Sequence, residues 1–138
     1  MVGLLSVILS YKSVATLSSI IAAFLAMAYL VFPSCVLVLF DVPQSSSAHF
    51  MSGRAAILFA GLGMIYWFTR DTQHRPTRIA VMKSSAIAMA AMLIFGAWQM
   101  ARGFAGPSHL VASAVEALYL CAFLFVWRQE ARNRPSSP

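Results

Sequence analysis

Between Lys12 and Asp41 the chain runs for 28 residues without a charge. A helix needs about 20 apolar residues to cross a bilayer, so this run alone commits the chain to a membrane or to a large buried core. A chain of 138 residues cannot supply such a core, because small domains leave much of their surface in water. The rest of the composition agrees. Hydrophobic residues make up 60%, charged residues 10%, and the mean hydropathy is +0.77. Soluble domains run at roughly 45–50% and about 25%. A soluble enzyme, a disordered tail and a disulfide-stapled secreted module are excluded. Residues 1–138 read as a single integral membrane domain.

Four spans are expected, at about 17–40, 50–69, 79–101 and 109–127, giving an all-α, four-transmembrane-helix antiparallel bundle. Pro33 lies inside the first span, strips the helical donor from the carbonyl of Tyr29 and should kink the helix. Asp41 to Ser47 is a turn rich in breakers, Arg70 to Arg78 a short basic link, and Gly103 to Pro107 a second turn. Residues 1–11 are too short to span and either extend the first helix or lie in the interface. The basic tail 128–138 ends in Pro and Ser and is expected to fray. The stretch Phe32 to Cys35 faintly resembles a lipoprotein cleavage site, but Val36 to Phe40 stay apolar and no basic segment precedes the first run, so that span is expected to be retained. Small residues recur every four positions at Ala22 and Ala26, at Ser52, Ala56 and Ala60, and at Ala86 and Ala90, as packing stripes between helices.

The formal charge is +6 and the pI about 10.0. In a soluble chain these values would point to nucleic acid. Here the cations cluster between apolar runs, and nucleic-acid binding is rejected. Lys12, Arg70, Arg75, Arg78, Lys83, Arg128, Arg132 and Arg134 fall on one side, Arg54 and Arg102 on the other. By the positive-inside rule both termini are cytoplasmic, with Trp67 and Trp127 at the inner interface and Trp98 near the outer one. Cys35 and Cys121 differ in expected depth by roughly 10 Å, too far for a disulfide, and read as small buried apolar residues.

No phosphate loop, dinucleotide fingerprint, zinc-protease motif or nucleophile elbow is present, and no catalytic or metal site is expected. Polar residues concentrate in the outer half. Glu116 lies seven residues into the fourth span. A carboxyl there must be protonated, paired or facing water, since a charge at bilayer depth costs at least ~2.5–3.5 kcal/mol. His109, Ser113, Glu116 and, at the edge, Tyr119 share one stripe that should face the interior. The stripe serves either a proton or ligand site or a structural contact that fixes packing. Arg54 is the expected partner of Glu116 and Arg102 the second choice, with outer headgroups as the alternative for both. His49 and His109 start helices running the same way and form the one pair able to hold haem or a metal, although no cofactor is expected. His74 is expected in solvent, and Met82, Met89 and Met92 in the core.

Arg54, Gly61 and Gly63, Arg102 with Gly103, Gly106 with Pro107, and Glu116 followed by Ala117 and Leu118 form a loose pattern over residues 50–120. In it the chain resembles small bacterial four-helix membrane proteins, broadly DoxX-like. The resemblance implies the four-helix architecture and a pairing of Arg54 with Glu116, without a substrate. The leading functional expectation is a non-catalytic accessory, structural or assembly subunit of a larger inner-membrane complex, an electron-transfer complex being one option. Its partners would be the lipid bilayer and either other membrane subunits or further copies of itself. The alternative is a small transporter or binder of a lipid or hydrophobic ligand at an Arg54–Glu116 site. A membrane enzyme ranks third, because one carboxyl and two outer histidines are a thin set for acid–base work.

Overall fold

The computed structural model describes residues 10–103 and 108–132. Parts of the expected Gly103 to Pro107 turn, of the tail and of residues 1–11 lie outside the described residues. Those described form five helices: α1 (Tyr11–Val31), α2 (Pro33–Leu39), α3 (Ser46–Thr69), α4 (Arg75–Ala101) and α5 (His109–Arg132). Each of the four longer ones is long and apolar enough to cross a membrane. We therefore read the chain as an integral membrane protein.

Local chemistry sets the helix ends. Ser10 caps α1 by accepting from the Ser13 N–H at 3.2 Å, and Ser45 caps α3 by accepting from the Ala48 N–H at 3.1 Å. Pro76 occupies the first turn of α4, where its missing N–H is harmless. After α4, Gly103 takes a positive φ of 74°, the left-handed conformation that lets a chain leave a helix. The helices consequently outrun the apolar runs, α1 by six residues at its start and α5 by five beyond Trp127.

Pro33 does more than kink the first span. The helix stops at Phe32 (φ −124°, ψ 49°), because a residue before proline is pushed out of the helical region, and restarts as α2 with proline at its head. The carbonyl of Tyr29, left without its helical donor, accepts instead from Ser52 Oγ of α3 at 3.1 Å. With no water in the hydrocarbon, such a freed group needs a side-chain partner, and Ser52 is that partner.

The helices pack mainly as two pairs, α1 with α3 and α4 with α5. In the first pair, Ser19 Oγ donates to Gly63 O at 2.9 Å. A Cβ placed on Gly63 would meet Ala22 Cβ at 3.3 Å and Ser19 O at 3.4 Å, so glycine sets the closeness of these helices. Ala22, Ser52, Ala56 and Ala86 of the expected stripes are buried, while Ala26, Ala60 and Ala90 sit at their edges.

The pairs share one core, in the half of the molecule that holds Tyr11 and residues 70–74, here termed the basic end. Tyr11, Val14 and Ala15 of α1 meet Tyr66 of α3, Met82 and Ala86 of α4, and Phe123 and Val126 of α5. Tyr66 and Phe123 stack with ring centres 6.0 Å apart. Ser85 Oγ donates to Val81 O, so the Tyr66 hydroxyl donates to Ser85 Oγ at 2.7 Å, tying α3 to α4. At the opposite end loop residues link the pairs, Ser108 Oγ donating to Asp41 at 2.7 Å.

The outward faces are apolar: Phe24, Leu58, Phe68 and Leu118 are 71–78% exposed, as lipid-facing residues are. The two cysteines belong to this surface. They are free, as expected, but exposed rather than buried, because each lies on the side of its helix turned from the neighbouring helix. Met82 and Met89 fill the core; Met92 does not.

Candidate functional site

The α5 stripe faces inward. His109, Ser113, Glu116 and Tyr119 are all half-buried, on the face that continues into buried Phe123 and Val126. Four polar atoms along this region are buried without a hydrogen-bond partner among the described residues: His109 Nε2, Glu116 Oε2, Tyr119 OH and, facing α5 from α1, Ser18 Oγ. A buried polar group left unsatisfied costs about 1–3 kcal/mol, so a set of four is a notable departure from a self-contained interior. His109 is seated on α4, where a Cβ on Gly96 would overlap its Nε2. The missing side chain at position 96 makes room for the imidazole. From there Glu116 follows two turns along the same face of α5.

The other three expected residues lie elsewhere. Arg54 is exposed, its guanidinium 5.8 Å from the ring centre of Phe50, and makes no ion pair with Glu116. The reason is rotational. Ser52 and Ala56 face α1, and a residue two positions from either is turned by about 200°. Arg54 must therefore face outward. Arg102 closes α4 with its guanidinium 5.9 Å from the ring centre of Trp98. His49 lines a shallow depression with Gln44, Ser45 and Ser46. Of the five residues singled out, the structure brings together Glu116 and His109. The described residues contain no group of three or more His, Cys, Asp or Glu able to hold a metal ion.

A second polar region, at the basic end, was not singled out from the sequence. Lys12 Nζ lies 2.7 Å from Asp71, which also pairs with Arg70 at 3.1 Å, while Arg70 stacks on Trp67. Arg78 pairs with Glu130 at 3.1 Å. Arg75 donates to the carbonyls of Glu130 (2.9 and 2.7 Å) and Ala131 (3.1 Å), so it satisfies the orphan acceptors at the end of α5 and complements its dipole. The hydrogen bonds from Lys12 and Arg70 hold the exposed Asp71 carboxyl below the usual range. Between these groups lies a cavity of ≈ 230 Å³. The sequence signal was a count of cations, which read them only as determinants of orientation. That Asp71 and Glu130 would gather them needed the tertiary fold.

Comparison with known proteins gives no match: no family model fits the sequence, and no curated protein or solved structure is similar to it.

Proposed function

We propose that the chain is a non-catalytic integral membrane protein, an accessory, structural or assembly subunit that docks against the helices of a larger complex in a bacterial inner membrane. An electron-transfer complex is one such setting. In this reading the spans form an antiparallel four-helix bundle with both termini cytoplasmic; four helices are also what the DoxX-like resemblance implies. The carrying observation is the closed interior: Met82, Phe123 and Val126 are fully buried across the core, between Glu116 and the basic end. A carrier needs polar groups and an opening at mid-depth, and neither cavity described above is lined by Glu116 or His109. The loops are short as well, with five residues between α3 and α4, so the described chain acts within the bilayer. What it offers a partner is its broad apolar surface. The test is copurification of the tagged chain from its native membrane in a gentle detergent, with mass spectrometry of everything recovered. Stoichiometric recovery with a larger complex supports the reading; recovery of the chain alone overturns it.

The four unpartnered polar atoms around Glu116 favour a second reading, a transporter or binder of a lipid or hydrophobic ligand. Its site is Glu116 with His109, since Arg54 lies on the far face of α3, and haem held by His49 and His109 is its cofactor variant. Loss of ligand binding or transport in Glu116→Gln supports it, and wild-type behaviour of that variant counts against it.

A further inference from the structure

The basic end is built to bind as well as to pack. Two buried donors there have no acceptor among the described residues. One is the hydroxyl of Tyr11, a residue only 4% exposed; the other is Nε of Arg78. The Thr69 hydroxyl lies nearby but outside hydrogen-bonding geometry of the phenol, its own hydrogen being donated to Ile65 O at 2.8 Å. Glu130 engages Arg78 through a terminal nitrogen and leaves Nε unused. Both residues line the ≈ 230 Å³ cavity, together with Lys12 and Arg70.

Helix α1 also begins at this cavity. Ser10, Tyr11 and Lys12 are at once its cap and first turn and part of the cavity wall. The first N–H groups of a helix have no intrahelical acceptor, and the dipole there favours negative charge. The unpartnered buried groups at the site are thus donors, a phenol and a guanidinium nitrogen, and they lie beside the start of α1 and two further cations. A ligand that complements them must be rich in acceptors and negatively charged. The cavity wall carries three cations, Lys12, Arg70 and Arg78, against two carboxylates, Asp71 and Glu130, and each carboxylate is already engaged by a cation.

We propose that this cavity binds the phosphate of an anionic phospholipid headgroup. A lipid is favoured over a soluble phosphate by position. Lys12 immediately precedes the 28-residue uncharged run, and Arg70 stacks on Trp67, an aromatic side chain at the end of a span. Both place the cavity at headgroup depth, where basic pockets between spans meet anionic lipid. This inference is independent of the subunit reading.

The test is native mass spectrometry of the full chain in detergent, titrated with phosphatidylglycerol, with phosphatidylcholine, or with inorganic phosphate. Phosphatidylglycerol should be retained and phosphatidylcholine not. Tyr11→Phe keeps the packing of the ring and should weaken phosphatidylglycerol binding about tenfold, as loss of a hydrogen bond to a charged group does. Lys12→Gln, on an exposed side chain, should weaken it as well, whereas Asp71→Asn should strengthen it by removing an internal competitor. Equal retention of the two lipids, or indifference of both the Tyr11 and Lys12 variants, overturns the proposal. Inorganic phosphate that binds as tightly as phosphatidylglycerol and displaces it overturns the lipid as the source.

Discussion

Replacing Ser52 by alanine removes one hydrogen bond, and its consequence depends on Pro33. The Ser52 hydroxyl donates at 3.1 Å to the one carbonyl of α1 that proline has stripped of a helical donor. Ser52 is buried between α1 and α3, so water cannot replace it. Side-chain hydrogen bonds between membrane helices average about 0.6 kcal/mol and reach about 1.7. This acceptor has no alternative donor, which puts the loss towards the upper part of that range. Alanine's better helix propensity returns a few tenths of a kcal/mol, leaving a net cost of about 1 kcal/mol. In a Pro33→Ala background, residue 33 regains an N–H able to donate to Tyr29 O, and Ser52→Ala should then cost close to nothing. The double-mutant cycle therefore has a coupling of about 1 kcal/mol, from which the propensity term cancels. Equilibrium unfolding in mixed micelles, followed by tryptophan fluorescence, measures all four proteins. Equal costs of Ser52→Ala in the two backgrounds would refute the reasoning, whatever their size.

Gly96→Ala should drive the His109 imidazole from its seat and destabilise the α4–α5 pair by about 1–3 kcal/mol, the usual range for overpacking. His109→Ala should relieve that clash, so the double variant unfolds later than Gly96→Ala alone; additive losses would show that the contact is not the cause. Glu116→Gln should stay within about 1 kcal/mol of wild type, whereas Glu116→Lys puts a cation at depth and should cost about 2.5–3.5 kcal/mol. Indistinguishable unfolding of these two variants would contradict the inward placement of position 116. The Asp71 carboxyl is held below its usual range by Lys12 and Arg70, so its contribution is complete above the unfolded carboxyl value, about 3.9, and is lost as pH falls through the lower folded value. The unfolding midpoints of wild type and Asp71→Asn should accordingly differ slightly at neutral pH and converge in acid. A difference that widens in acid would have the wrong sign.

What the sequence made legible is local. Hydropathy located four long helices, proline chemistry marked the place where the first span bends though not that it breaks, and helical spacing put His109, Ser113, Glu116 and Tyr119 on one inward stripe. The direction of Arg54 was legible too, since the stripe of Ser52 and Ala56 already turned it outward, but its similar depth to Glu116 gave the stronger impression. The partner of the Tyr29 carbonyl was not legible, because it depends on the register of α1 against α3. Nor was the basic end. Its pairs join Lys12 to Asp71 and Arg78 to Glu130 across long stretches of chain, and only packing brings them together.

The four acidic residues show how differently the two ends are built. Asp71 and Glu130 anchor cations at the basic end, and Asp41 accepts from Ser108 at the other. Each of these three has a partner that explains its charge. Glu116 keeps a buried oxygen without one, outside the shared core. Rigidity is thus concentrated at the basic end, where all four helices interlock around Phe123 and Met82. Unspent hydrogen-bonding capacity is found in two places: around Glu116, and in the Tyr11–Arg78 cavity. The latter carries net positive charge on an interlocked frame, so it can hold an anion without rearrangement. Glu116 lies outside that shared core, and its unpartnered oxygen is the feature that distinguishes it from the other three acids.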